Sequence, residues 1–365
     1  MIHSLLAAAA IVTTIAGVPG VTGHLDGAAN VALFNKPTHI TVDTANGDVY
    51  VTDRLNGAVR KVSGGIVSTY DPVATDTFDF GGPINGGIVI EPPGPYPQSP
   101  FYGRGLFIAS SGDHVIEQRD IFGAPFVHDV AFVGARDVPG FYNGPVPVDQ
   151  PKPAFNMPTA LAIDRRHYAA PGSFQPRYIY IADTGNGAVR KLTREINFEG
   201  EYYATRIDTV ATGFLAPRGL AFAPDGTLYV SDAGYHVIWR AEKNGEITVV
   251  AGQLGVAGSA DGAPGLLNVP TGIDVDDAGN VYIADTANQT IRRLRANGVL
   301  ETVAGLAGQP GFADGDALTA QFNGPVGVQV APGGGLIVAD TSNHVIRKIT
   351  FVTPPEQPRR RGVRH

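Results

Sequence analysis

The chain has 365 residues and no cysteine, which excludes disulfides, thiolate metal sites and cysteine nucleophiles. Charged residues make up 17% of it, below the typical ~25%, and 47 residues are glycine, a composition typical of turn-rich all-β proteins. The net charge of −7 argues against a nucleic-acid surface, which requires clustered Lys and Arg, and no apolar run reaches the ~20 residues that span a membrane.

The N-terminus carries the first predicted elements. Residues 1–10 (MIHSLLAAAA) resemble a short export leader or its remnant, although they contain no Lys or Arg. Residues 11–17 (IVTTIAG) match the later strands TVVAG and TVAG, so we predict a structural strand there. The sequence leaves the compartment unknown, with export favoured.

Six repeated units follow, at residues 17–70, 82–134, 158–213, 214–252, 253–305 and 306–350. Four of them contain nearly the same segment: IYIADTGNGAVRKL, LYVSDAGYHVIWRA, VYIADTANQTIRRL and LIVADTSNHVIRKI. Each unit reads as short strands separated by Gly, Asn, Asp and Pro, which form turns. A period of roughly 40–55 residues with four strands per unit is typical of β-propeller blades.

We therefore predict an all-β fold, a six-bladed β-propeller of four-stranded blades, over residues 11–350. The sixth unit ends after its third strand, so the N-terminal strand is predicted to pair into that blade and close the ring. Closure removes the exposed sheet edges of an open array. Residues 351–365, rich in Pro and Arg, are predicted to form a disordered tail.

The segments at residues 285–293 and 340–348 follow the pattern DTxNxxIRK, and through them the chain resembles the NHL-repeat family. The resemblance covers about residues 11–350 and implies the propeller fold. Its members include enzymes, sensor domains, scaffolds and RNA binders, so it does not select a function. RNA-binding members are expected to show a basic face, which these repeats do not suggest.

Acidic and basic residues recur once per hairpin between the second and third strands. They are Asp53, Asp183, Asp232, Asp285 and Asp340, with Arg60, Arg190, Arg292 and Arg347 seven positions after four of them. A catalytic pair needs one special environment, so a pair repeated around a ring is predicted to be structural, its carboxylate accepting backbone N–H groups of the turn. The Asp-Gly pairs at residues 26–27, 261–262 and 314–315 are likewise predicted to form turns between blades.

Three histidines occupy one hairpin position in alternate units: His114, His236 and His344. Residues so far from the axis in alternate blades lie tens of ångströms apart, whereas His–Zn bonds are ~2.0–2.1 Å. We therefore predict no metal and no cofactor.

An axial site would use the residue after the proline that starts each innermost strand. These positions hold Thr38, Thr159, Arg218, Thr271 and Val326. The peptide-amidating lyase, a related propeller enzyme, carries metal-binding histidines there, and this chain lacks them, although His39 lies one residue later. Thr38, Thr159, Arg218 and Thr271 are predicted to line the channel mouth and to bind a small anion or ordered water.

The second and third units depart from the repeat through long loops at residues 91–105, 164–177 and 193–206. Their aromatic and arginine content is typical of interface cores. The predicted interaction patch comprises Tyr96, Phe101, Tyr102, Arg104, Arg165, Arg166, His167, Tyr168, Phe174, Tyr202 and Tyr203. Alternatively, these loops only pack on each other.

The sequence thus favours a non-catalytic binding or scaffold propeller that recognises a protein, peptide or glycan through its loops. We expect a monomer with no nucleic-acid partner and no catalytic residue. The alternative is a lyase or a lactonase-like hydrolase acting at the channel mouth, with Arg218 as an anion clamp.

Overall fold

A computed structural model describes residues 10–70, 86–92, 105–120, 132–146, 152, 154–168, 177–196 and 202–352. The described strands form six antiparallel sheets of four or five strands each. The predicted six-bladed all-β propeller is thus confirmed. None of the helices in these ranges is long and apolar enough to cross a membrane.

The strands are numbered in chain order, beginning with β1 (Ala10–Ala16). Blade one contains β2 (Gly27–Ala28), β3 (Pro37–Val42), β4 (Val49–Asp53), β5 (Ala58–Ser63) and β6 (Ile66–Thr69). Blade two contains β7 (Ile88–Ile90), β8 (Gly105–Ser110), β9 (Val115–Asp120) and β10 (Phe132–Val133). Blade three contains β11 (Gly144–Pro145), β12 (Pro158–Ile163), β13 (Arg177–Asp183), β14 (Ala188–Ile196) and β15 (Tyr202–Thr212).

Blade four contains β16 (Pro217–Phe222), β17 (Leu228–Asp232), β18 (Val237–Ala241) and β19 (Ile247–Ala251). Blade five contains β20 (Pro270–Val275), β21 (Val281–Asp285), β22 (Thr290–Leu294) and β23 (Leu300–Ala304). Blade six contains β24 (Gly315–Asp316), β25 (Pro325–Val330), β26 (Leu336–Asp340) and β27 (Val345–Phe351). Short 3-10 helices occupy Arg54–Asn56, Arg165–Tyr168, Thr184–Asn186, Thr286–Asn288 and Thr341–Asn343.

The N-terminal strand β1 lies in the sixth sheet, between β27 and β24. It pairs antiparallel with β27, from Ala10 opposite Phe351 to Ala16 opposite Ile346. Val12 is fully buried and packs in a core cluster whose members come from blades five and six. The described propeller therefore runs from Ala10 to Phe351, close to the predicted limits. The predicted leader and tail lie almost entirely outside the described residues.

In each blade we count the strands from the innermost one outwards. The two faces of the disc differ in the connections they carry. We call the face with the turns between second and third strands the hairpin face, and the face with the connections between first and second strands the loop face. The inner strands β3, β7, β12, β16, β20 and β25 surround the axis, each in contact with the next around the ring.

The hairpin Asp–Arg pairs are buried structural ion pairs, as predicted. The Asp53, Asp183, Asp285 and Asp340 carboxylates lie 2.8–2.9 Å from Arg60, Arg190, Arg292 and Arg347, and all eight side chains are fully buried. In these four blades the second carboxylate oxygen accepts a backbone N–H from the segment before the inner strand, such as that of Asn35 at 2.7 Å. The prediction that it caps its own hairpin turn is wrong there, because the carboxylate ties the hairpin to the preceding connection instead.

The three repeated histidines join neighbouring blades. The Nδ1 atoms of His114, His236 and His344 accept backbone N–H groups of Met157, Val269 and Lys36 at 3.0–3.1 Å. Each histidine has a φ near +60°, a conformation that ordinary side chains rarely adopt. They are structural links between blades.

Candidate functional site in the axial channel

A cavity of about 930 Å³ runs along the axis of the ring. The six inner strands line it, from the level of His39 and Gly219 to the loop face. Its rim there is formed by residues 164–166, 276–278 and 331–334. A space of this size is in the range of small-ligand sites.

The inner strands of five blades begin with a β-bulge just after their proline, for example between Pro217 and Gly219. A bulge changes the direction of the following side chains. Thr159 Oγ1 donates a hydrogen bond to Pro217 O at 3.1 Å, and Thr271 Oγ1 donates to Val326 O at 2.9 Å, each bridging to the next blade.

Thr38 Oγ1 is 3.0 Å from Thr52 Oγ1 within blade one. Thr38, Thr159 and Thr271 are all buried. These three predicted channel residues therefore already hold hydrogen-bond partners of the ring. That they bind a ligand stays a prediction.

At the next position, three of the inner strands approach the following blade closely. A Cβ built on Gly219, Gly272 or Gly327 would lie 2.3–2.5 Å from a carbonyl oxygen of the following blade. Glycine suits these three positions, because an added Cβ would collide with that carbonyl oxygen. Blade two has Gly87 and blade three Ala160 at this position, whereas blade one has His39.

His39 is partly buried and lines the cavity. Its Nδ1 atom is buried without a hydrogen-bond partner among the described residues. In the sequence His39 follows a predicted ligand position, Thr38, but it was not among the predicted site residues. When the six blades are aligned, His39 is the residue at this position that is neither glycine nor alanine, and this difference is visible in the sequence.

Arg218 is the fourth predicted channel residue, and the structure brings Arg54 into its environment. Both side chains are partly buried. Neither guanidinium forms a hydrogen bond or ion pair within the described ranges, and Arg54 Nε is buried without a partner. Arg54 follows the hairpin Asp53 and was not predicted to belong to the site.

The three basic groups share one electrostatic environment. Burial and then the charge of Arg54 lower the pKa of Arg218. Burial and then the charge of Arg218 lower the pKa of His39 to about 4, so its imidazole is neutral at pH 7. The charge of Arg218 therefore acts on His39, and the charge of Arg54 acts on Arg218.

The rim at the loop face is charged and ordered by blade three. Arg166 donates from Nε and Nη2 to the two Asp164 oxygens at 2.9 and 2.6 Å, and from Nη1 to Asp225 O at 2.5 Å. These bonds tie the 3-10 helix Arg165–Tyr168 to blade four. Arg165 is exposed at the rim.

Asp274 lies deeper in the same wall, where its Oδ2 accepts hydrogen bonds from Gln329 Nε2 at 2.6 Å and Val330 N at 2.7 Å. Burial raises its pKa, while the charge of Arg165 opposes this effect. The loop-face wall therefore combines acidic and basic groups.

Part of the predicted interaction patch can be placed. Arg165 and Arg166 line the cavity rim. His167 and Tyr168 continue the same 3-10 helix, and Tyr202 and Tyr203 begin β15. Tyr96, Phe101, Tyr102, Arg104 and Phe174 lie outside the described residues.

No group of three His, Asp or Glu side chains in the described part of the chain is arranged to hold a metal ion. The three repeated histidines, His114, His236 and His344, instead link neighbouring blades through their Nδ1 atoms, as described above.

Comparison with known proteins agrees with this architecture. The NHL repeat model matches residues 267–294 and 322–349. Protein SUPPRESSOR OF QUENCHING 1, chloroplastic, of Arabidopsis thaliana is 33% identical over 151 residues, which are 38% of this chain and 14% of that protein. The chain thus matches only a small part of that curated relative's length.

Two solved structures share the fold. An auxiliary nutrient binding protein of Bacteroides ovatus has a TM-score of 0.65 at 16% identity, covering 94% of this chain and 77% of that one. A gluconolactonase of Xanthomonas campestris has a TM-score of 0.54 at 14% identity, covering 96% and 94%. The chain therefore contains NHL repeats at residues 267–294 and 322–349 within a six-bladed β-propeller, a fold that both solved structures share.

Proposed function

We propose that this protein is a non-catalytic binding propeller that recognises a protein, peptide or glycan at the loop face of its axial cavity. The observation that carries the proposal is the cavity of about 930 Å³ that ends in a charged rim. Arg165 and Asp277 are exposed on that rim, and Asp274 lies below it. Such mixed charge suits a ligand rich in hydrogen-bonding groups.

The position of the rim supports this proposal. The loops that depart from the repeat in blades two and three connect first to second strands, or third to fourth, and so lead to the same face. Long loops on a rigid frame are where binding function is usually found. The Bacteroides ovatus neighbour, a nutrient binding protein, is an example of this fold used for binding.

Binding at the rim is tested by probing glycan and peptide arrays with the purified protein and a double variant, Arg165→Ala with Asp277→Ala. We expect the variant to bind each ligand at least tenfold more weakly. A matched control, Arg240→Ala with Glu242→Ala, also removes one positive and one negative charge, from an exposed outer ion pair. Equal binding by the two double variants, or no ligand on either array, would contradict the proposal.

A second candidate is a lyase or lactonase-like enzyme acting at the channel mouth. The neutral His39 imidazole beside the Arg218 charge favours it, because a proton acceptor next to a cation suits acyl or elimination chemistry. The gluconolactonase neighbour shows that this fold also carries lactone chemistry. Turnover of a lactone panel that is lost in His39→Gly would replace the binding proposal with this one.

A further inference from the structure

The hairpin end of the axial channel carries positive charge that the fold does not use. Three residues depart there from what the other blades carry: His39 and Arg54 in blade one and Arg218 in blade four. Blades one and four stand opposite each other in a ring of six. His39 and Arg218 lie at the starts of the inner strands β3 and β16, and Arg54 lies in the 3-10 helix Arg54–Asn56, which contacts β3.

In four of the other five blades the residue at Arg54's position links neighbouring blades, and in blade four this residue is Ala233. Ser111, Thr184, Thr286 and Thr341 each donate a hydroxyl hydrogen bond to the proline carbonyl that begins the next inner strand, at 2.5–2.7 Å. Arg54 makes no such bond within the described residues. It gives up a structural link and places a guanidinium near the axis instead.

Arg218 likewise replaces a residue that links neighbouring blades at the equivalent position of blades three and five. Thr159 and Thr271 use their hydroxyls to bond to the next blade, whereas Arg218 has no hydrogen-bond or ion-pair partner in the described ranges. Elsewhere in the blades, buried arginines are paired with carboxylates. Two partly buried guanidiniums without a carboxylate repel each other, and a bound anion would relieve that repulsion.

His39 completes the donor set. Its Nδ1 is buried and lacks a hydrogen-bond partner among the described residues, at a position where the other blades carry glycine or alanine. A neutral imidazole can donate one N–H, and planar guanidiniums match the geometry of carboxylate and phosphate oxygens.

We infer that Arg54, Arg218 and His39 form a binding site for an oxyanion, the carboxylate or phosphate group of a small molecule, at the hairpin-face mouth of the channel. This site goes beyond the proposed function, because it lies at the opposite end of the channel from the loop-face rim. Its ligand is recognised by charge and planar hydrogen bonding.

Calorimetric titration with inorganic phosphate and, separately, with succinate tests the site at constant ionic strength. The variants Arg54→Thr and Arg218→Thr install residues that other blades already carry at those positions, so both are expected to fold, as circular dichroism would verify. We expect the wild type to bind at least one probe saturably and each variant to bind it at least tenfold more weakly. Arg240→Thr, which removes an exposed outer charge, should bind like the wild type.

Binding of phosphate alone would identify a phosphate site, and binding of succinate alone a carboxylate site. In the absence of either probe, Arg218→Thr should melt at or above the wild-type temperature, because the charge repulsion between Arg218 and Arg54 is removed. Saturable binding of neither probe, or equal affinity in Arg54→Thr, Arg218→Thr and Arg240→Thr, would overturn the inference. Either result would leave the loop-face proposal intact, since that is tested with different residues and ligands.

Discussion

The guanidinium groups of Arg60, Arg292 and Arg347 each form ion pairs with two carboxylates. One carboxylate comes from the arginine's own hairpin, and the other belongs to an Asp-Gly pair in the connection between blades, at Asp26, Asp261 and Asp314. The Asp-Gly pairs, predicted only to form turns, therefore also neutralise the buried arginines. Since these donors and acceptors hold partners within the blades, the repeated charges are structural, and the unpaired ones at the axis are the informative exceptions.

His39 should give the protein a pH-dependent stability. Its pKa in the folded state is about 4 against an ordinary 6.5, so below pH 6.5 the unfolded chain takes up a proton that the folded chain resists. Stability from this group is thus present above pH 6.5 and is lost as the pH falls towards 4. Between pH 7 and 5 the loss is about 2 kcal/mol.

Denaturant unfolding of the wild type and His39→Gly at both pH values measures this loss. The difference in unfolding free energy between the two proteins should change by that amount in favour of the variant at pH 5. His24→Gln, a substitution of an exposed histidine outside the channel, should keep the wild-type pH slope. Parallel pH profiles for wild type and His39→Gly would show that the buried imidazole does not resist protonation.

Substitutions of His344 test whether the inter-blade histidines affect stability through their backbone conformation as well as through their hydrogen bonds. Its φ is +62°, and its ring accepts the backbone N–H of Lys36. His344→Ala loses the acceptor, at roughly 1–3 kcal/mol, and keeps the left-handed strain that histidine already carries. His344→Gly loses the same acceptor but relieves the left-handed strain, roughly 1–2 kcal/mol, and glycine already occupies this position as Gly57 and Gly187.

We therefore expect His344→Ala to melt below both the wild type and His344→Gly. Scanning calorimetry of the three proteins measures these melting temperatures. An alanine variant as stable as the glycine variant would mean that the left-handed backbone costs nothing at this position.

Strand β1 is the element on which the sixth blade depends. Val12 faces the core shared by blades five and six and is fully buried, whereas its neighbour Ile11 is 46% exposed. Val12→Lys buries an unpaired charge and should cost roughly 3–5 kcal/mol. Ile11→Lys, opposite Asp316 in β24, should change stability by less than about 0.5 kcal/mol.

Urea unfolding of the two lysine variants compares adjacent positions on one strand. Similar destabilisation by both, or by neither, would show that β1 does not pack into the blade as the alternation of its side chains requires.

The elements themselves were largely predictable, because each blade repeats one pattern of apolar strands and turn residues. The short strands β2, β11 and β24 were not predicted. They are two residues long and arise where the connection between blades passes along an outer strand, as in the pairing of Gly27 with Val67. Such contacts depend on the path of the connection, which local sequence pattern does not describe.

At the scale of the whole molecule, the axial site could be only half predicted. Position in the repeat was enough to select Arg218, because inner-strand starts converge on the axis. Arg54 lies in a hairpin turn, and its approach to Arg218 depends on the diameter of the ring and on the bulges that redirect the inner-strand residues. Neither is visible in a single unit of the repeat.

The ring should unfold as one cooperative unit, because adjacent blades share core clusters and β1 joins the last blade from the opposite end of the chain. An open repeat array can unravel from its ends, whereas a closed ring has none. The single tryptophan, Trp239, is buried in blade four, so its fluorescence follows the unfolding of that blade. Far-UV circular dichroism follows the unfolding of all six blades. Val12→Lys, in blade six, should shift both midpoints equally, and Ile11→Lys should shift neither. A Trp239 transition that stayed at the wild-type midpoint while the dichroism moved would show that the blades unfold separately.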